Sequence, residues 1–547
     1  MSRRTLAVPL VVIGGGLGGV AAALTAARLG HRVVLTETNA WLGGQLTSQA
    51  VPPDEHRWIE TNGTSASYAE LRRRIRDHYR LEYPLSPTAA RDPHLNPGEG
   101  FVSRLCHEPR VAALAIETML SPLLASGLLT VLRLHEPIAA DRDGAQLRSV
   151  TVRSRLTGEE TELVGSLFVD ATELGDLLEL GGIEHVTGAE SARETGELHA
   201  PQVADPRDQQ AVTWCAGLEF RAGEDHTSEP PAEYDTWKSR TAPFWPGSQL
   251  SWTDVEPMSL QERVRPMFLG APADAVAGRD LDLWHYRRIL ARTNLATSWP
   301  AGDVTLVNWP QVDYWEAPLV GPGIDADARD RALAGARGLT RSFIHWLQTE
   351  APRSDGGAGY PELKPRGDML GTTDGLAMDV YVRESRRIKA IFTVTEEHIG
   401  REMRGVHAGS AVFDDSVGVG FYRIDLHPST SARTYVDIDC YPFQIPLGAL
   451  IPRAVTNLLA GNKNIGTTHI TNGAYRLHPV EWSIGEAAGA LAVLCAQSGQ
   501  RPEAVRETPA LREDLRSLLA GRLRVALAWP DDIRTAGDPK TPVSVAR

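Results

Sequence analysis

The chain has 547 residues, of which 42% are hydrophobic and 23% charged, and its net charge is −13. That balance describes a globular protein with ample apolar material for its cores; it excludes a disordered chain and a basic nucleic-acid-binding surface. The 13 tryptophans stand beside no basic stripe, and no apolar run reaches the roughly 18 residues of a membrane span.

The first segment to parse is PLVVIGGGLGGVAAALTAARLGHRVVLTETN, residues 9–39. It predicts strand, turn, helix, turn, strand. Val11, Val12 and Ile13 read as a buried parallel strand. Gly14, Gly16 and Gly19 fill G-x-G-x-x-G, with Gly18 beside them. The first glycine permits the tight turn, the second lets the backbone approach a pyrophosphate, and the third lets helix pack on strand. The helix opens at Leu17, and its free N–H groups favour phosphate. The second strand ends at Glu37, followed by Thr38. A carboxylate about 20 residues past the glycines accepts hydrogen bonds from ribose hydroxyls and disfavours a 2′-phosphate. Ser2-Arg3-Arg4 ahead of this segment suggests a twin-arginine export signal. Cleavage of such a signal would remove the glycine loop, so cytoplasmic residence is expected.

Trp41-Leu42-Gly43-Gly44-Gln45-Leu46-Thr47-Ser48-Gln49 adds a second glycine loop just past the ribose acid. This W-x-G-G-Q-x-T-S-Q block resembles the FAD-dependent oxidoreductase family of the glutathione-reductase-like, two-dinucleotide-binding superfamily. The resemblance spans Leu10 to Ala496. It implies an α/β fold: a Rossmann-like FAD-binding domain with a parallel sheet and a β-meander, plus an inserted α+β substrate domain. It also implies FAD as cofactor, with Gly43, Gly44 and Gln45 passing along it toward the flavin ring.

Residues 129–176 are expected to supply the meander, with LTVLRLHEP as one strand and Val150, Val152 and Leu156 alternating onto one face. The strand Leu167 to Val169 ends in Asp170-Ala171-Thr172, where family members rejoin the nucleotide sheet. Near the far end, Asn457 to Ala460 reads as a short buried strand closed by Gly461-Asn462. Relatives place a ribitol or pyrophosphate contact there, often with Asp in place of Asn462. A helix from Pro479, with small residues at Gly485, Ala487, Ala488 and Gly489, would pack on the nucleotide helix and aim its N-terminus at the flavin. The expected division is 1–215 and 426–500 for FAD, 216–425 for the substrate, and 501–547 for one amphipathic helix and a disordered tail.

Flavin-dependent dehydrogenation needs a base for the substrate proton and a cation to orient the substrate. His469, Arg476, His478 and Glu481 cluster before the last FAD helix, and either histidine is a candidate base. Arg383, Arg386 and Arg387 around Glu384 read as a solvated helix face or as a carboxylate clamp, and His427 beside Asp425 as a further substrate contact. The four cysteines are scattered, without Cys-x-x-Cys or metal-ligand spacing, and no second G-x-G-x-x-G provides for NAD(P)H. The expectation is an FAD enzyme that dehydrogenates a small organic substrate at C–O, C–N or C–C. Electrons would pass to dioxygen or an external carrier, with no metal, nucleic acid or membrane partner and with a homodimer left open. A flavin monooxygenase or NAD(P)H-dependent reductase, and a non-redox FAD-binding protein, are the alternatives.

Overall fold

β1 (Arg4–Ile13) ends in four consecutive buried residues, Leu10 to Ile13, the pattern of a strand covered on both faces. The structure, a computed structural model, describes residues 4–268, 282–405 and 407–536. α1 (Leu17–Arg28) follows at once and is buried from Leu17 to Ala27. β2 (Val33–Glu37) pairs parallel to β1, Leu10 opposite Val33 and Ile13 opposite Thr36.

β3 (Leu129–Arg133) extends the parallel sheet beyond β2. The single strand expected over 129–137 is therefore two. Leu134 takes a positive φ of 56°, and the chain turns there into β4 (His135–Asp143). β4, β5 (Gln146–Ser154) and β6 (Glu160–Asp170) form the antiparallel meander. Val150 and Val152 are buried, but Leu156 lies past the end of β5 in the turn and is exposed. The alternation stops where the strand stops.

The far end of β6 returns to β1 in parallel, with Asp170 opposite Ile13. Leu458–Ala460 lies parallel on its other side, Ala460 opposite Asp170. The carboxyl ends of β1, β2, β6 and 458–460 thus share one edge, where open α/β sheets form their ligand crevice. The helix His478–Ser498 covers the sheet by packing on α1. Its small residues make this possible. A methyl group on Gly485 would lie 2.0 Å from the Gly18 carbonyl oxygen, and one on Gly489 would lie 2.4 Å from that of Ala22.

The stretch after β6 builds a second, antiparallel sheet. Its order is Arg288–Leu290, Val304–Val307, Ala216–Phe220, Leu363–Pro365. The helix Ala326–Thr349 carries Phe343 and Trp346 into the core. Residues 378–386 form no helix: Tyr381 bridges Thr213 in an extended segment, and Arg387–Ile388 is a short strand. The solvated arginine face is corrected accordingly. Arg383, Arg386 and Arg387 are all buried and held by acids and carbonyls.

The C-terminal segment is also corrected. Pro502–Glu507 and Pro509–Ser517 are separate helices, because the residue before Pro509 is driven out of the helical region and Thr508 sits at φ −87°, ψ 112°. A π-helical turn, Leu518–Arg522, and a short helix, Asp531–Arg534, follow in place of one continuous helix. The disordered tail expected at the end falls on 537–547, outside the described residues. All four cysteines are buried and none forms a disulfide. Among the described residues no helix is long and apolar enough to cross a membrane.

Candidate functional site

The shared strand edge opens into a groove of about 350 Å³ lined by Gly14, Gly16, Glu37, Thr38, Gln49, Ala171 and Thr172. Gly14, at φ 95°, turns so tightly that a methyl group there would lie 2.5 Å from the Thr172 nitrogen. Gly16 begins α1 without a side-chain cap, so first-turn N–H groups are left to a ligand. The two glycine loops are tied directly: the Gly43 N–H donates to the Gly15 carbonyl at 2.7 Å, with Gly43 at φ 111°. Gly44 packs against Gly16, where a methyl group would come within 2.9 Å of the Gly16 Cα. Glu37 accepts from the Gly15 N–H at 2.9 Å and the Asn39 N–H at 2.8 Å. Burial pushes its carboxyl up to about 7.

At the inner end, Lys463 lies between Glu173 and Glu481, its Nζ 3.1 Å from Glu481. Burial opposes the lysine's charge, but the two carboxylates more than offset it. Burial in turn pushes Glu481 up to about 7, against the pull of Lys463. Asn462 Nδ2 donates to the Ala171 carbonyl at 3.2 Å and fixes the turn beside Gly16. Asp170 faces inward: it accepts from the Thr172 N–H and hydroxyl, so it shapes the turn while Ala171 and Thr172 line the groove.

The Gly43–Gly44 loop continues to a second cavity of about 290 Å³, lined by Glu55, Tyr286, Arg287, Tyr422, Asp425 and His427 among others. Gln45 Nε2 donates to the Arg476 carbonyl at 3.1 Å, joining the glycine loop to the turn before the last helix. Arg476 is buried and donates to the Tyr381 hydroxyl at 2.7 Å and the Asp425 carbonyl at 3.0 Å. His427 presents an imidazole whose Nδ1 lies 2.6 Å from Asp313. Burial, with Arg383 nearby, holds that imidazole below its ordinary pKa despite the acid. Burial also opposes ionisation of Asp313, yet Arg383 and His427 hold its carboxyl below the usual range. An ionised Asp313 only accepts, so His427 Nδ1 carries the proton and Nε2, 3.7 Å from Asp425 Oδ2, is unprotonated in the neutral ring.

The family model of FAD dependent oxidoreductases matches residues 9–517. The chain belongs to the FAD-dependent oxidoreductase family. No curated protein matches it. Among solved structures it is similar to a geranylgeranyl bacteriochlorophyll reductase-like protein from Thermoplasma acidophilum, at 9% identity over 95% of this chain and 84% of that one, TM-score 0.30. It is also similar to anhydrotetracycline hydroxylase from Streptomyces rimosus, at 12% identity over 95% and 68%, TM-score 0.32. A likeness to L-proline dehydrogenase from P. horikoshii, at 15% identity and TM-score 0.19, takes in 35% of this chain and spans 25% of that one.

The groove residues fit the family's cofactor. They offer a glycine cradle, a helix N-terminus and an acid at the strand edge, and the buried Oε1 atoms of Gln45 and Gln49 have no protein partner. FAD, when bound, supplies a two-electron acceptor. Gly14, Gly16, Leu17, Glu37, Thr38, Gly43, Gly44 and Gln45 come together on the groove and its loops. Gly18, Gly19 and Gly461 act one layer deeper, in backbone packing: a methyl group on Gly19 would overlap the Gly14 carbonyl, and one on Gly18 that of Gly461. Pro479 lies in the first turn of the 478–498 helix.

The candidate catalytic residues divide. His478 accepts from the Asp54 N–H at Nδ1, 3.0 Å, and its Nε2 lies 3.3 Å from the Val51 carbonyl, so both nitrogens clip the loop in place. His469 lines neither the groove nor the second cavity; its Nδ1 lies 2.9 Å from Glu384 in a buried cluster with Arg387 and Glu190. Arg386 turns to Asp176 and Glu179, away from Arg383 and His427. Lys463, Asp313, Asp54 and Arg287 were not singled out by the sequence. Lys463 adjoins the Gly461-Asn462 turn, and Asp313 lies in the polar-aromatic loop after Val304–Val307. Nothing local marks Arg287 in Tyr286-Arg287-Arg288.

Proposed function

We propose that the protein dehydrogenates a small organic substrate at a C–O, C–N or C–C bond, passing a hydride to FAD, with dioxygen or an external carrier as final electron acceptor. The observation that carries this reading is the Asp313–His427 pair on the wall of the second cavity. It is a neutral base, oriented by a buried acid, in a cavity joined to the dinucleotide groove by one continuous loop. In this reading His427 takes the substrate proton at Nε2, Asp313 fixes its tautomer and stabilises the imidazolium, and Arg476 anchors the loop against Asp425. The stretch 216–425 contributes Arg287 and His427's partner Asp313, which supports its role in substrate binding.

The test is anaerobic mixing of the purified yellow protein with amino, hydroxy and saturated acids and their neutral analogues. Bleaching of the flavin by one of these without NAD(P)H is expected. Bleaching by NADPH alone would replace this reading with that of a monooxygenase or reductase.

A further inference from the structure

We propose that the cavity beside His427 receives a carboxylate of the substrate on the guanidinium of Arg287. This rests on the reading of that cavity as the substrate site and extends it to a substrate class.

Arg287 is only 9% exposed and lines the cavity. It immediately precedes the strand Arg288–Leu290, and its carbonyl accepts from the Leu306 N–H at 3.1 Å, so the sheet fixes where the side chain emerges. Its neighbour Arg288 is fully engaged, with Gly98 at 2.7 Å, Asp303 at 2.7 Å and Glu99 at 3.0 Å. Arg287 is not. Its buried Nε and Nη1 have no hydrogen-bond partner, and its closest ion-pair contact, to Asp54 Oδ1, is 3.9 Å, beyond hydrogen-bonding reach. The guanidinium lies over the Tyr286 ring with its carbon 5.1 Å from the centroid.

A buried guanidinium with unmet donors is costly, and a carboxylate meets two of them at once in the fork geometry that arginine presents. The cavity's other charges are largely committed to one another. Arg263 and Arg265 share Asp254, Arg423 holds Asp437, Glu55 is held by Arg72, and Asp425 faces Arg476. An entering carboxylate therefore competes at Arg287 only with the 3.9 Å contact to Asp54, which makes no hydrogen bond. A neutral substrate would leave the donors unmet and an ammonium would repel them. Base and anion site share one cavity, so a substrate held by its carboxylate presents its remaining carbons within that enclosure.

The test is isothermal titration calorimetry on the FAD-loaded protein with acetate, propionate and benzoate, each against its amide. At least one carboxylate is expected to bind, with its amide at least tenfold weaker. Arg287→Met is expected to weaken that carboxylate by about 10- to 100-fold at unchanged FAD content, and Arg287→Lys by less. The Lys variant retains a cation and carries the test if Met compromises folding. Amides as tight as carboxylates, no binding by any of the three acids, inorganic phosphate outcompeting all of them, or unchanged affinity in the folded variants would each overturn the assignment. The readout needs no turnover. A carboxylate that binds through Arg287 while no acid bleaches the flavin would sink the dehydrogenase reading and leave the anion site standing. Bleaching by a neutral substrate, with KM unaltered in Arg287→Met, would do the reverse.

Discussion

His427 Nδ1 lies 2.6 Å from Asp313 Oδ2, and Asp313 Oδ1 in turn accepts from the Thr213 hydroxyl at 2.5 Å and from the Arg383 guanidinium at 3.1 Å. Asp313 is thus oriented from one side and orients on the other. Asp313→Asn replaces a pure acceptor with a group that both donates and accepts, and lets the imidazole adopt the wrong tautomer. Flavin reduction is expected to slow by about 10- to 100-fold with little change in substrate KM. The base works only when neutral, and burial with Arg383 depresses the His427 pKa. The wild-type rate should therefore hold through neutral pH and fall only as pH drops through that depressed value. Stopped-flow reduction across pH checks both points.

Glu37 gives a second pH dependence, this one in cofactor binding. Burial raises its carboxyl to about 7, whereas the unfolded chain ionises near 4.5. Its contribution to the stability of the cofactor-free fold is thus full below the unfolded value and lost as pH rises through about 7. Ribose hydroxyls donate to the ionised form, so FAD affinity should rise as pH climbs from about 6 to about 8. Glu37→Gln should weaken FAD by about tenfold and flatten this dependence, as read by fluorescence titration of deflavinated protein.

The contact between α1 and the 478–498 helix is a third point of attack. A methyl group on Gly485 would meet backbone, the Gly18 carbonyl, and backbone cannot swing aside as a side chain can. Gly485→Ala should push the helices apart, cost on the order of 1–3 kcal/mol or more, and lower FAD retention. Thermal melts and flavin-to-protein absorbance ratios measure these together.

His469 contrasts with His427. It serves a buried cluster in which Glu384, despite its burial, is held ionised below the usual range by His469 and Arg387. His469→Ala should destabilise the fold by about 3 kcal/mol, because it leaves a buried carboxylate short of a partner. This stabilisation is present above the unfolded carboxyl pKa and is lost as acid titrates Glu384. Denaturant melts at neutral and acid pH are the check.

These contrasts explain what the sequence made legible. The dinucleotide groove is written in short local motifs, because its chemistry is backbone chemistry. Gly14 at φ 95° and Gly43 at φ 111° announce themselves as glycines, and Glu37 as the acid ending a strand. The second cavity is assembled from distant segments. Asp54, Arg287, Asp313 and His427 meet only through tertiary pairing, and neither His427 nor His469 has its acid partner, Asp313 or Glu384, nearby in sequence. Which one faces a cavity is decided by the path of the chain between Thr213 and Asp313, which no local pattern encodes. The arginines at 383–387 misled for the same reason. Charge density suggested solvent, but Asp313, Asp176 with Glu179, and Glu190, acids from three other segments, answer it.

The most direct measurement is the single-turnover rate of flavin reduction by a bleaching substrate in His427→Asn, set against His469→Ala and wild type, all at matched FAD occupancy. His427→Asn should retain FAD and reduce on the order of 100-fold more slowly, while His469→Ala, once folded, reduces at close to the wild-type rate. An unchanged rate in His427→Asn, or a loss confined to His469→Ala, would contradict the assignment of the second cavity as the place where substrate is oxidised.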